Sequence, residues 1–442
     1  MLLSAVLLSA VGCLPESFDA LEEVAPVSTE RVRFPGSTGA LITVALTVPA
    51  DDEGRGRVLF MDEGQALGWL RIDQAGRSEL RFASRSELDE LGQLSQPIFS
   101  GLAVVEGTGV AEALVRVVGP ANGPDRLVRF RVADFSRPSP PELDMQVDPW
   151  VLPDAPQLLG PMTVVELDGP DGADLPEAIS ATADGELIIW DALGTRAPDY
   201  VAAREALLAD DPEVFTADRK QGYGITLCQS LPALPQALAG GMLLADETGV
   251  AVALVDDTLV FIGSGEINLV GAPIYDCNLA MMTLPGEASQ LLVADIEGDG
   301  DVDLLVGAPA QEQVWIWRNR GPGQGITLDA GPDLTLSPEP AEDGHFGASM
   351  AAVELGSDAP FVLLVGAPTT TVDGKKDAGR VHVFAGEDGA FLRTLEDLEP
   401  RTGSHHGLAV HGLDLSGREE PAISGNAEIR VHWQIMAGDP RP

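Results

Sequence analysis

The sequence predicts an all-β fold, a seven-bladed β-propeller of four-stranded antiparallel blades, with a small helical insertion near residues 200–211. Three observations predict it. A two-strand unit recurs along the chain at spacings of roughly sixty residues. Each unit later carries an apolar stretch that closes on an aromatic residue. Gly (49) and Pro (33) are abundant, as many short strands joined by tight turns require.

The unit is seen by aligning the chain with itself. SGLAVVEGTGVAEALV (100–115) matches GGMLLADETGVAVALV (240–255), and QLLVADIEGDGDVDLLVGAP (290–309) matches SMAAVELGSDAPFVLLVGAP (349–368). The stretches 159–180 and 406–425 have a similar shape. In each, a small residue opens a short apolar strand, a polar turn follows, and a second apolar strand closes the unit. The openers are placed at Gly39, Gly101, Gly160, Gly241, Ala288, Gly347 and Gly407. Third strands end at Phe60, Phe130, Trp190, Phe261, Trp317, Phe384 and Trp433. The run Val314-Trp315-Ile316-Trp317 is apolar at every position, so both of its faces are expected to be buried. A fourth, weaker strand is expected in each unit, for example within 325–336. The sequence LVGAP at 269–273 falls outside the repeat phase and is assigned to a fourth strand.

One four-stranded sheet cannot bury both of its faces. Packing seven of them around an axis does so and leaves only short edges exposed. The expected organisation is a leader at 1–13, an N-terminal segment at 14–38 whose ERVRF stretch closes the last blade, and a propeller over 39–442. YVAAREALLADD (200–211) has helical spacing and is expected to leave the propeller rim.

Net charge is −42, from 69 acidic against 27 basic residues. Nucleic-acid binding needs clustered Lys and Arg, so that class of partner is excluded. With 45% apolar residues the chain is globular, not a disordered acidic tail.

The densest charge lies in VADIEGDGDVDLLVGAP, where Asp295, Glu297, Asp299, Asp301 and Asp303 sit beside an apolar strand. Together with His345-Phe346-Gly347-Ala348-Ser349-Met350 and the GAP triplets at 307–309 and 366–368, this loop resembles the FG-GAP repeat. That repeat is the blade module of integrin α subunits and many bacterial surface proteins. The resemblance is clearest over 285–390. It implies Ca2+ bound by Asp295, Glu297, Asp299 and Asp303, with the backbone carbonyl of Asp301. Glu297 departs from the pattern with a longer arm. The loop holding Asp168, Asp171, Asp174 and Glu177 has one residue too many, and Val362 fills the last ligand slot of the 354–362 loop.

Residues 1–13, MLLSAVLLSAVGC, resemble a bacterial lipoprotein signal peptide that ends in a lipobox, although no Lys or Arg precedes the apolar run. The resemblance implies that Cys13 is acylated and anchors the protein to the outer membrane, facing the periplasm or the cell surface. Of the three cysteines, Cys228 and Cys277 then remain. In an exported chain a disulfide between them is the default expectation, worth on the order of 3–4 kcal/mol by loop entropy.

No GxSxG, HExxH or P-loop occurs. Gly321-Pro322-Gly323-Gln324-Gly325 reads as a turn between third and fourth strands, and His405, His406 and His411 read as structural. Two basic spots stand out, Lys375-Lys376 between second and third strands and Arg219-Lys220 in the insertion. The leading expectation is a non-enzymatic, calcium-stabilised binding or adhesion module that takes a protein or glycan ligand at the cell surface. The alternatives are a propeller lyase or hydrolase acting on polysaccharide or lipid, and a structural subunit of an envelope complex.

Overall fold

The computed structural model describes residues 28–33, 42–48, 56–62, 67–72, 78–82, 98–105, 112–118, 126–131, 150–151, 158–167, 177–182, 187–191 and 224–228. It further describes 231–433 apart from 232, 246–248, 268–272, 355–360, 415–418 and 426–427. The expected helix at 200–211 and Arg219-Lys220 lie outside these residues, as does Cys13.

The described residues form an all-β chain of 28 strands in seven antiparallel four-stranded sheets, with a single 3₁₀ turn at Pro309–Gln311. β1 (Ser28–Arg33) belongs to the last sheet. The first sheet holds β2 (Ile42–Val48), β3 (Gly56–Asp62), β4 (Leu67–Ile72) and β5 (Ser78–Phe82). The second holds β6 (Ile98–Val105), β7 (Glu112–Val118), β8 (Arg126–Arg131) and β9 (Trp150–Val151). The third holds β10 (Leu158–Val165), β11 (Glu177–Thr182), β12 (Leu187–Asp191) and β13 (Gly224–Cys228). The fourth holds β14 (Ala237–Gly241), β15 (Val250–Val255), β16 (Thr258–Ile267) and β17 (Pro273–Thr283). The fifth holds β18 (Gln290–Ala294), β19 (Asp303–Ala308), β20 (Gln313–Trp317) and β21 (Leu334–Leu336). The sixth holds β22 (Ser349–Glu354), β23 (Phe361–Ala367), β24 (Arg380–Ala385) and β25 (Phe391–Glu396). The seventh holds β26 (Ala409–Asp414), β27 (Glu419–Gly425) and β28 (Glu428–Trp433), and its fourth strand is β1, paired antiparallel to β28 with Ser28 opposite Trp433.

Four sequence expectations are corrected. Gly241 ends β14, and Gly101 and Gly160 lie inside β6 and β10, instead of opening a strand, because pairing with the second strand already begins upstream of each glycine, at Ala237, Ile98 and Leu158. Phe60 lies in β3, the second strand of its sheet, and the third strand is β4 with Trp69. The other six aromatic markers fall in third strands: β8, β12, β16, β20, β24 and β28.

Apolar clusters straddle successive sheets. Val314 and Ile316 join Phe346, Leu363, Val365 and Phe384 between the fifth and sixth sheets. Trp315 and Trp317 point the other way, into a cluster with Val250, Val252, Leu254 and Phe261 of the fourth. Period-two alternation therefore sends each face of β20 into a different core, and that is why the run is apolar at every position. Each such side chain contributes about 1.5–3 kcal/mol by leaving water. Equivalent clusters link the third sheet to the fourth and the sixth to the seventh. First strands of successive sheets lie against one another: β2 on β6, β6 on β10, β10 on β14, β14 on β18, β18 on β22, β22 on β26, and β26 on β2.

The repeated glycines have a steric cause. A Cβ on Gly307 would lie 2.2 Å from the carbonyl oxygen of Gly347, and one on Gly366 would lie 2.1 Å from that of Gly407. The glycine of one sheet's GAP triplet thus touches the opening glycine of the next sheet. Gly347 and Gly407 themselves have φ of +92° and +91°, a left-handed region costly for other residues.

Candidate functional site

The acidic loop 295–302 joins β18 to β19 and begins where the apolar strand ends. Its shape follows from local hydrogen bonds. The Asp295 carboxylate accepts from the backbone N–H groups of Glu297 (3.2 Å) and Gly298 (2.6 Å) on Oδ1, and of Gly300 (2.8 Å) on Oδ2. Asp299 Oδ1 accepts from the Asp301 N–H at 2.9 Å. Gly298 and Gly300 take φ of +78° and +93°, which lets the chain fold back over Asp295.

Asp303 is the first residue of β19 and is fully buried. Its Oδ1 accepts from the Asn319 N–H (2.8 Å) and its Oδ2 from the Ile296 N–H (3.3 Å). Burial raises its pKa to about 7, more than the two backbone donors lower it, and the charges of Glu297 and Asp299 add to the rise. Glu177 holds the corresponding place at the start of β11. It too is buried, and it accepts from the Leu167 N–H at 2.7 Å.

Glu297 faces the strand end of β20. Its Oε2 lies 3.2 Å from Arg318 Nε. Burial raises the Glu297 pKa, Arg318 lowers it, and Asp299 and Asp295 raise it again. Arg318 Nη2 also donates to the carbonyls of Gly386 (3.4 Å) and Glu387, in the turn between β24 and β25 of the sixth sheet. Arg320 pairs with Asp333 at 2.8 Å. These groups line a groove of about 620 Å³ with Asp299, Asp301, Asn319, Leu334 and Asp388. Two ion pairs, Glu297–Arg318 and Arg320–Asp333, lie in it beside four further acids, Asp299, Asp301, Glu387 and Asp388.

The five sequence-predicted ligands are thus neighbours, and the charges of Asp295, Glu297, Asp299 and Asp303 act on one another, but three of the side chains are already engaged elsewhere. Asp303 turns inward to backbone donors, Glu297 turns to a guanidinium, and Asp295 caps its own loop. Among the described residues no group of three or more His, Cys, Asp or Glu side chains is arranged to hold a metal ion. Calcium takes six to eight oxygens at about 2.3–2.6 Å, and in this conformation the Glu297 carboxylate faces Arg318 instead of a shared centre. Asp168, Asp171 and Asp174 lie outside the described residues.

The histidines do not gather either. His406 is buried in the loop before β26, at the repeat position of Phe346, while His405 and His345 both take left-handed φ (+49° and +57°) one residue earlier. Cys228 ends β13 and Cys277 lies within β17; these strands contact each other across the third and fourth sheets. The side chains of Cys228 and Cys277 are outside the description.

Sequence reasoning missed two features. Glu312, at φ +54°, accepts from the N–H groups of Gly344 (3.2 Å), His345 (2.7 Å) and Phe346 (2.8 Å), latching the fifth sheet to the sixth. Glu342 contacts both Arg380 (3.2 Å) and the buried His382 (3.0 Å), and Arg380 reaches Glu396 at 2.9 Å. Neither has a motif; only spatial neighbours reveal them.

Lys375 and Lys376 occupy a tight hairpin between β23 and β24. Val372 and Lys375 exchange both backbone hydrogen bonds, at 3.2 and 2.8 Å, around Asp373 and Gly374, both at positive φ. This is the two-residue turn that Asp-Gly favours. The carbonyls of Lys376, Asp377 and Ala378 accept from Gly403 (2.9 Å), His405 (3.0 Å) and His406 (2.8 Å) of the next sheet. The Lys376 side chain is 80% exposed.

No protein-family model matches the chain. The likeness to the FG-GAP unit therefore stands on the residues named above alone.

Proposed function

We propose that this protein is a closed seven-bladed β-propeller of the cell envelope, anchored through an acylated Cys13, that works as a binding module and not as an enzyme. The observation that carries the reading is the cycle of first-strand contacts from β2 through β26 and back to β2, with β1 completing the seventh sheet. A chain whose two ends share one sheet holds its ring shut without a further partner.

The ligand-facing feature of this proposal is the Lys375-Lys376 hairpin. It is pinned to two successive sheets, so little conformational freedom is lost when it engages a partner. On a body with net charge −42, two exposed lysines on a rigid tip suit an anionic protein or glycan at the cell surface. An enzyme acting on polysaccharide or lipid would draw on acids or bases free to act in a pocket, and both arginines of the described groove are engaged in ion pairs, with Glu297 and with Asp333.

The test has two arms. Electron microscopy of the full chain is expected to show a ring with seven lobes; an open or linear arrangement of sheets defeats the proposal. Capture of surface polymer by wild type and by the Lys375→Glu/Lys376→Glu variant is expected to differ by at least about tenfold, and equal capture removes the hairpin from the binding role. Cys13→Ser is expected to move the protein from the membrane to the soluble fraction.

A further inference from the structure

We infer that Arg318 is the resident cation of the acidic loop 295–303, so that this loop holds its shape without calcium. The geometry carries the inference. The Arg318 guanidinium lies with Nε 3.2 Å from the Glu297 carboxylate, an ion pair without hydrogen-bond alignment, and donates from Nη2 to the carbonyls of Gly386 and Glu387. It therefore supplies positive charge to the loop and ties it to the turn of the following sheet. A planar, multi-donor head suits that double contact, and a lysine ammonium would not reproduce it.

Three other acids of the loop have backbone partners of their own. Asp295 takes three backbone N–H donors and Asp303 takes two. Asp299 accepts one and is exposed to solvent, and Asp301 is half-buried. A calcium ion recruiting this set would compete with Arg318 for Glu297 and with two backbone donors for Asp303.

The arrangement also gives the long arm of Glu297 a role, which is to reach Arg318. Aligned on the third-strand aromatics, Ala385 of the sixth sheet and Asp191 of the third stand where Arg318 stands, the latter in a repeat unit whose loop carries Asp168, Asp171 and Asp174. The arginine is therefore particular to the fifth sheet and is not a general companion of acidic loops. The inference does not depend on the ring or on the lysine hairpin.

Thermal melting of the full chain in 1 mM CaCl2 and in chelator tests it. Wild type is expected to melt within about 1 °C in the two conditions, and Arg318→Met to melt about 2 °C lower in chelator. With the guanidinium gone, calcium is expected to restore part of that loss. A wild-type melting temperature several degrees higher in calcium, with one-site calorimetric binding that Asp299→Ala abolishes, overturns the inference. So does an Arg318→Met protein as stable in chelator as wild type. Should Arg318→Met fail to fold, Glu297→Gln removes the same ion pair while keeping the arginine's carbonyl contacts, and the same comparison is made with it.

Discussion

The junction between the fifth and sixth sheets and the junction between the sixth and seventh use the same glycine pair and different latches. In both, a GAP glycine meets the carbonyl of the next sheet's opening glycine at a distance that admits no side chain. At the first junction the loop before the opening glycine is gripped by one carboxylate, that of Glu312. At the second the grip comes from backbone carbonyls of the lysine hairpin. A repeat thus keeps the steric element of its interface and lets the polar element vary. The glycine contact cannot be rebuilt by another residue, whereas three N–H donors can be met by any suitably placed oxygen.

The largest effect should come from the shared element. Gly307→Ala and Gly366→Ala should each cost on the order of 3 kcal/mol, because a Cβ would press into backbone with no flexible side chain to yield. Urea unfolding that shows one junction tolerant and the other not would break the equivalence.

Next is a contrast between two slots at the start of second strands, Asp303 in β19 and Val362 in β23, both fully buried. Asp303 in the folded chain has a pKa of about 7 against an ordinary value of 3.8, so the folded state keeps a proton that the unfolded state releases. Stability should therefore fall as pH rises from about 4 to about 7, by up to about 4 kcal/mol, and flatten above that. Asp303→Asn should lose this slope, and the difference between the two urea midpoint curves isolates it. A slope of opposite sign would show that Asp303 is held ionised.

The latches themselves should differ more modestly. Glu312→Ala should cost about 1–2 kcal/mol, since it leaves three N–H groups without their acceptor. Lys376→Ala, at the equivalent junction, should change stability by less than about 0.5 kcal/mol, because the carbonyl and not the side chain makes the bond. Equal losses would mean that the side-chain and backbone latches are not the distinction drawn here.

How far the fold could be read depended on how locally each feature is encoded. Strand period, turn chemistry and the GAP glycines are written within a few residues, so a fourth strand within 325–336 and the turn that holds Lys375-Lys376 between second and third strands are legible, and the structure narrows them to Leu334–Leu336 and to a two-residue hairpin. The same locality misled at Gly241, where two similar apolar runs could align with either end of β14. It misled again at Phe60, where a second strand happens to close on an aromatic. The acidic loop was legible as charge, but its use was not. Glu297 and Arg318 lie on opposite sides of two strands, and Arg318 finds its other partners in a different sheet. Local order cannot report that meeting.

What the sequence determined alone was the count and spacing of sheets, because burying both faces of the inner strands, such as β15, β19 and β20, imposes an apolar pattern that neighbouring residues display directly. Tertiary structure decided which acids face which partners. A carboxylate's role depends on the donors within about 3 Å of it, and those donors come from strands and sheets far apart in the chain.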